Sequence, residues 1–505
     1  MVEVTFFSSA LSISVFSAVL QDFQATSLQA QMKNLQLAKV LYMTKQPHYA
    51  DGVFDLDVMM NNLEAGKLQG SVKSNIKNGL LDSKYITKMQ KFKTQMPRTT
   101  FTLATVTEIN ADIADTKVNL TYLRQGKKEE TSLIRGAIDV HAVPFYQLIG
   151  DDIGYIVLSK FNKKTTKETK AALTDLKNQG ATKLILDLRG NPGGLLTEAV
   201  NIVNLFVQKG EPIVTTKSAV KKYNKTYKTQ KTAFDLEIPL VVLVNGRSAS
   251  ASEIVSGGLQ DLDRAVIIGA RSFGKGLVQR PKKLTYGTQL KVTISRYYTP
   301  SGRCIQALDY WNRDENGDPV RVDSKKYNSF KTKGGRTVYD GGGIMPDIEL
   351  ESGKFSTITT ALLKNNVIFN YATQYYYSNK LESPEEFVFT DANFKEFLIF
   401  IKENKFEYET ESEKLFSKAM RKTSEENFKD NIDLSFKQLM TDIDKAKEEM
   451  LVAKKEEIIT ILSDEILKRY FYREGMYSYQ LTHSAEIIKA VSVLKNESLY
   501  DKILK

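Results

Sequence analysis

Three residues in one short stretch have the types and spacing for nucleophilic catalysis. Pro239–Gln279 reads PLVVLVNGRSASASEIVSGGLQDLDRAVIIGARSFGKGLVQ. An apolar strand is expected over Leu240–Val244. It runs into small residues, and a helix opens at Ser248-Ala249-Ser250-Ala251-Ser252. A second apolar strand, Ala265–Ile268, leads to Lys275, which is flanked by Gly274 and Gly276. A serine hydroxyl is a poor nucleophile until a base removes its proton. Backbone N–H groups at a helix start hold a developing oxyanion. A lysine acts as base only in its neutral form, and a free lysine keeps its proton to about 10.4. Such a base therefore needs an apolar setting, for which Phe273, Leu277 and Val278 are suitable neighbours. If the chain beyond Gly276 is extended, Leu277 and Gln279 share a face opposite Val278, and the Gln279 amide orients the lysine. Ser248, Ser250 and Ser252 are all plausible helix caps, and composition does not choose among them. Glu253 suits the first turn of a helix by dipole and is given no catalytic role.

The elements around this stretch point the same way. Asp187-Leu188-Arg189-Gly190-Asn191-Pro192-Gly193-Gly194 follows an expected strand, Lys183–Leu186. It precedes an amphipathic helix marked by Leu195, Leu196, Ala199, Val200, Ile202, Val203 and Phe206. Strand, glycine-rich turn and helix make an anion cradle, with Asp187 and Arg189 bracing the turn. The three histidines, His48, His141 and His483, all lie outside this region, and no serine sits in a G-x-S-x-G context, which disfavours a Ser-His-Asp triad. Gly269–Lys275 imitates a phosphate-binding loop, but Gly276 stands where magnesium binding needs Ser or Thr. Asp314–Asp318 imitates a calcium loop, but its glycine comes early and no closing glutamate follows. Neither a metal nor a nucleotide cofactor is expected.

Five segments together resemble the carboxyl-terminal processing proteases, serine peptidases with a Ser–Lys dyad. They are LILDLRGNPGGLLTEAVNIVNLF (184–206), SASASEIVSGGLQD (248–261), RSFGKGLVQ (271–279), YYTPSGRCIQ (297–306) and GRTVYDGGGIMPD (335–347). The likeness runs from about Asp151 to Asp347. It implies Ser250 as nucleophile, Lys275 as base and Gln279 as support, with oxyanion donors at the backbone of Ala251 and of Gly193 or Gly194. It implies protein or peptide substrates bound by their C-terminal region, and export to the periplasm or membrane surface. It is also compatible with membrane-surface association and a homodimer. The alternative is a catalytically weak or silent peptide-binding scaffold of the same fold.

At 505 residues with 42% hydrophobic composition, several domains with sizeable cores are expected. The chain should be α/β and multidomain. Residues 1–95 are expected to hold an export signal and a helical region, and 96–140 a degenerate PDZ-like β-rich module closed by a hairpin over Lys117–Gly136. Residues 141–355 should form a crotonase-like βα protease core, and 356–505 a helical C-terminal extension that serves as scaffold or dimerisation arm. The apolar run Val4–Leu20 is the candidate signal, although it lacks a positive leader and an A-x-A site. The net charge of +11 and six lysines within Lys217–Lys231, interleaved with Tyr223 and Tyr227, invite a nucleic-acid reading. No nucleic-acid motif accompanies them, so a surface for acidic partners is expected instead, and no nucleic acid. The single cysteine, Cys304, excludes an internal disulfide framework.

Overall fold

The computed structural model describes residues 2–3, 13–21, 24–36, 50–62, 69–81, 99–110, 113–124, 127–134, 136, 138–284, 288–315, 317–350, 355–426 and 429–505. The chain divides into two units, Met1–Asp139 and Val140–Lys505. The first contains β1 (Val2–Glu3), β2 (Ile13–Gln21), β3 (Gln24–Gln36), β4 (Ala50–Asn62), β5 (Gln69–Leu81), β6 (Thr99–Asn110), β7 (Ile113–Arg124) and β8 (Lys127–Ile134). Each strand pairs antiparallel with the next, in the order β1 to β8.

This corrects two expectations. The described residues of 1–95 are strands, not helix. The signal is alternation: Phe54, Leu56 and Val58 interleave with Asp55 and Asp57, a period of two. Nor is 96–140 a module of its own. The β5–β6 ladder runs across the expected boundary, from Gly70↔Ile109 to Leu81↔Thr99, so β6–β8 are the last strands of one meander. The hairpin over Lys117–Gly136 is present as β7–β8, in register from Lys117↔Ile134 to Arg124↔Lys127. Of the run Val4–Leu20, residues 4–12 lie outside the described residues and Ile13–Leu20 lie in β2.

The second unit opens with β9 (Phe145–Ile149), β10 (Ile153–Val157), α1 (Thr165–Asn178), β11 (Lys183–Asp187) and α2 (Leu196–Val203). There follow β12 (Pro212–Lys217), β13 (Lys225–Lys228), β14 (Leu240–Val244), α3 (Ala251–Asp261), β15 (Val266–Gly269), β16 (Leu277–Lys283) and β17 (Gln289–Tyr298). Short strands complete it: β18 (Leu308–Arg313), β19 (Pro319–Arg321), β20 (Ser329–Lys331), β21 (Thr337–Tyr339) and β22 (Ile348–Glu349). The central sheet has the order β22-β15-β14-β11-β10-β9 and is parallel except for β9. Its strands are short apolar runs, fully buried in β10, β14 and β15, as a parallel sheet covered on both faces requires. On one face Leu184, Leu186, Val242, Val244 and Ile267 pack with Leu173, Val203, Ile254 and Leu259 of α1–α3.

The chain from Thr357 on is helical: α4 (Thr357–Lys364), α5 (Val367–Ser378), α6 (Asp391–Glu403), α7 (Glu411–Glu425), α8 (Lys429–Ala453), α9 (Lys455–His483), α10 (Ala485–Lys495) and α11 (Glu497–Leu504). Tyr371, Phe397, Leu462 and Ile466 centre its own core. Its last two helices pack on the central sheet. Ile487, Val493 and Leu494 of α10 and Tyr500 of α11 cover Tyr155, Ile185, Val241 and Ile268 on the second face of the sheet. Each fully buried aliphatic side chain there contributes roughly 1.5–3 kcal/mol. Among the described residues no helix is long and apolar enough to cross a membrane.

Candidate active site

The β14 strand delivers the chain to a tight turn, and α3 leaves it. Ser250, the residue just before α3, has φ +58° and ψ −109°. For a residue with a Cβ this backbone costs about 1–3 kcal/mol and persists only where the surroundings impose it. They do so through the two flanking serines. Buried Ser248 donates its hydroxyl to Leu188 O at 2.8 Å, and buried Ser252 donates its own to Asn191 O at 2.9 Å. The Ala249 N–H also donates to Asn191 O. Ser250 is half-buried; its side chain forms a capping box with Glu253 at the start of α3, and its hydroxyl donates to no acceptor among the described residues. Of three serines that look alike in sequence, two donate their hydroxyls to backbone carbonyls of the glycine-rich turn and Ser250 does not.

A single buried carboxylate joins this turn to the lysine loop. Glu253 Oε2 accepts from the N–H of Ser250 at 2.7 Å and of Lys275 at 2.9 Å. Its Oε1 accepts from Ser272 Oγ at 2.5 Å and the Gly274 N–H at 2.7 Å. Burial pushes this carboxyl above its usual range, against the pull of those four donors. Tyr297, on β17, clamps the same two segments from the other side. Its hydroxyl lies 2.7 Å from Lys275 O and 3.2 Å from Ser250 O. Sequence reading missed both residues in these roles. The capping spacing of Ser250 and Glu253 was the available signal.

The lysine loop packs closely on Gln306 and Ala307. A Cβ on Gly274, which has φ +86°, would collide with Ala307, and one on Gly276 would come within 2.9 Å of Gln306 N. The Gly276 N–H donates to Gln306 Oε1 at 2.7 Å. Lys275 itself is half-buried. Its Nζ and Ser250 Oγ are not hydrogen-bonded to each other. Gln279 is exposed on β16 and makes no side-chain bond to Lys275. The strand alternation expected there is broken by a register shift between Val278 and Gln279.

The turn after β11 completes the site. Arg189 engages both carboxylate oxygens of buried Asp187, and Tyr155 donates to Asp187 at 2.6 Å. Arg189 also reaches Ser484 Oγ at 2.8 Å and Glu486 at 3.0 Å, so the helical extension braces this turn. Burial opposes the Arg189 charge, but Asp187 outweighs it and holds the guanidinium more firmly protonated than usual. Gly193, at φ +97°, presses on the serine turn: a Cβ would lie 2.6 Å from Ala249 O and 2.9 Å from Ser250 Cβ. The N–H of Gly193 is taken by Asn191 Oδ1 at 2.8 Å. The N–H groups of Gly194 and Ala251 have no acceptor among the described residues. Of the described histidines, His141 is exposed beside Glu168 and His483 stacks on Tyr479; His48 lies outside the described residues.

Residues 152–310 match peptidase family S41, and residues 358–494 match the description "Probable PDZ-protease, C-terminal helical domain". A carboxy-terminal-processing protease of Bartonella bacilliformis is 45% identical over 203 residues, covering 39% of this chain and 46% of its own. A probable CtpA-like serine protease of Staphylococcus saprophyticus is 38% identical over 195 residues, 38% of each chain. Among solved structures, the photosystem II D1 C-terminal processing protease is 28% identical, covers 47% of this chain and 55% of its own, and has a TM-score of 0.32. The chain spans less than half the length of these curated relatives. The serine turn, the lysine loop and the glycine-rich turn all lie within residues 152–310, the segment that is similar to peptidase family S41.

Proposed function

We propose that this chain is a serine endopeptidase that cleaves proteins near their C-termini through Ser250, Lys275 and an acyl-enzyme intermediate, on a core of crotonase-like type. Neutral Lys275 takes the proton of the Ser250 hydroxyl as Oγ attacks the scissile carbonyl. The N–H groups of Ala251 and Gly194 receive the oxyanion. The Lys275 ammonium then protonates the leaving amine, and water, deprotonated by the same lysine, hydrolyses the ester. The open Ser250–Lys275 separation is compatible with this reading, because catalytic hydrogen bonds in ligand-free sites are often long and tighten with substrate. Substrates are proteins or peptides presented by their C-terminal region. The protein works outside the cytoplasm, in the periplasm or at a membrane surface.

One observation carries the reading: Ser250 is the serine of the three whose hydroxyl donates to no carbonyl, on a strained turn close to the N–H groups of Ala251 and Gly194, which have no acceptor among the described residues. Ser250→Ala should abolish hydrolysis of casein and peptides with an unchanged circular dichroism spectrum. Activity retained in that variant would sink the assignment. The rival reading, a silent peptide-binding scaffold, draws on the unbonded Ser250–Lys275 pair and the idle Gln279. It predicts peptide binding by the wild-type protein with no turnover.

A further inference from the structure

We infer that the four-stranded sheet β13-β12-β17-β16 is a docking surface for an acidic segment of the polypeptide substrate. The inference rests on the proposed reading of Ser250 and Lys275 and names the substrate class that site would favour. The four strands read PIVTTK, KTYK, QLKVTISRYY and LVQRPKK. They contain no Asp or Glu, nor does the 218–224 turn that joins β12 to β13 and adds Lys221 and Lys222. Lys217, Lys225, Arg280, Lys282, Lys291 and Arg296 are all exposed. None of these six is in an ion pair among the described residues. Glu211, just before β12, is already engaged by Lys333 at 3.0 Å.

The register concentrates this charge. Lys217 stands directly opposite Arg296, and Arg296 directly opposite Leu277. Like charges at facing positions destabilise a sheet, so folding gains nothing from this pairing. A partner of opposite charge would relieve it. The cations are also partly preorganised: Lys217 lies 4.5 Å from the centre of the Tyr298 ring and Lys225 lies 4.7 Å from that of Tyr227. Such contacts steady a long side chain and leave its charge available.

Position links the surface to the chemistry. The β16 strand begins at Leu277, two residues after Lys275. Tyr297, between Arg296 and Tyr298 on β17, is the residue whose hydroxyl clamps Ser250 and Lys275. The row Lys217–Arg296–Leu277 therefore ends at the lysine loop, and a substrate held at Ser250 has cations along its flank. Exposed charges of this kind act through screened attraction, so they should raise affinity and capture and leave bond making unchanged.

The test uses full-length Ser250→Ala protein, which binds without turnover, and labelled peptides identical except for a run of Glu and Asp or of Gln and Asn. Fluorescence anisotropy at low and high salt reads affinity. The acidic peptide should bind more tightly at low salt by roughly tenfold, the scale of a few exposed charge pairs, and lose that advantage at high salt. Replacing Lys217, Lys225, Lys282 and Lys291 by Gln should remove the advantage and leave the neutral peptide's affinity unchanged. In the otherwise wild-type enzyme the same four replacements should raise KM for the acidic peptide and leave kcat within a few-fold. Absence of any acidic preference, or equal loss on both peptides, overturns the inference. Phosphatidylglycerol vesicles or a DNA oligonucleotide that bind the sheet and are not displaced by the acidic peptide also overturn it, in favour of those ligands. If wild-type protein hydrolyses neither peptide while the acidic preference persists in Ser250→Ala, the proposed activity fails and the docking surface stands.

Discussion

Glu253→Gln is the most searching perturbation of the way the serine turn and the lysine loop are held together. One oxygen of Glu253 accepts from Ser250 N and Lys275 N, the other from Ser272 Oγ and Gly274 N. The amide keeps one acceptor oxygen and turns the other position into a donor. Two buried donors then face an NH₂ group. An unsatisfied buried donor costs about 1–3 kcal/mol, and removing the buried charge offsets part of this, so the net loss should be about 3 kcal/mol. For the unit Val140–Lys505 that is a fall of roughly 4 °C in Tm. The site suffers more than the fold, since a displacement of about 1 Å costs near 10²-fold in rate, and kcat should fall by about that factor with a smaller change in KM. A matched control is Tyr500→Phe. It deletes the hydroxyl that bonds Leu240 N at 2.9 Å and Leu240 O at 3.2 Å on the opposite face of the sheet, so it should lower Tm and spare kcat. The sign of the pH dependence gives a second readout. Burial raises the Glu253 carboxyl above its ordinary 4.5, so the folded state binds more protons than the unfolded one. Its contribution is then lost as pH rises from the ordinary value through the raised one. Glu253→Gln should flatten that part of the stability profile. Wild-type kcat and Tm in Glu253→Gln would refute the reasoning.

Other expectations follow from the same geometry. Lys275→Arg should be nearly as inactive as Lys275→Ala, each down by about 10²–10⁴-fold in kcat, because arginine keeps the charge but cannot serve as base; substantial activity in Lys275→Arg would make the lysine an electrostatic element. Gly193→Ala should abolish activity and lower Tm, since its Cβ would lie 2.6 Å from Ala249 O at a φ of +97°; thermal denaturation and peptide hydrolysis read both.

The sequence made the strand–turn–helix units legible because their apolar runs are short, continuous and bounded by glycine. It could not choose among Ser248, Ser250 and Ser252, because what separates them is non-local: the hydroxyls of Ser248 and Ser252 are taken by carbonyls some 60 residues earlier. Glu253 was hidden in the same way. Its capping spacing to Ser250 is local, whereas its bonds to Ser272, Gly274 and Lys275 depend on how the β15 loop folds back. Gln279 was placed beside the lysine on strict alternation, which the register shift in β16 breaks. In the N-terminal unit the alternation of β4 was present but diluted by polar residues, and it was taken for helix. The helical character of the C-terminal third was plain. That α10 and α11 cover the second face of the central sheet was not, because an apolar helix face does not name its partner.

The central claim is that Ser250 is the nucleophile, and covalent trapping tests it most directly. Full-length protein is treated with a serine-directed phosphonate, digested, and examined by mass spectrometry, with Ser250→Ala in parallel. The account predicts one adduct, on Ser250, absent from the variant and formed far more slowly when Lys275 is replaced by Ala. An adduct on Ser248 or Ser252, or labelling that survives in Ser250→Ala, would contradict it.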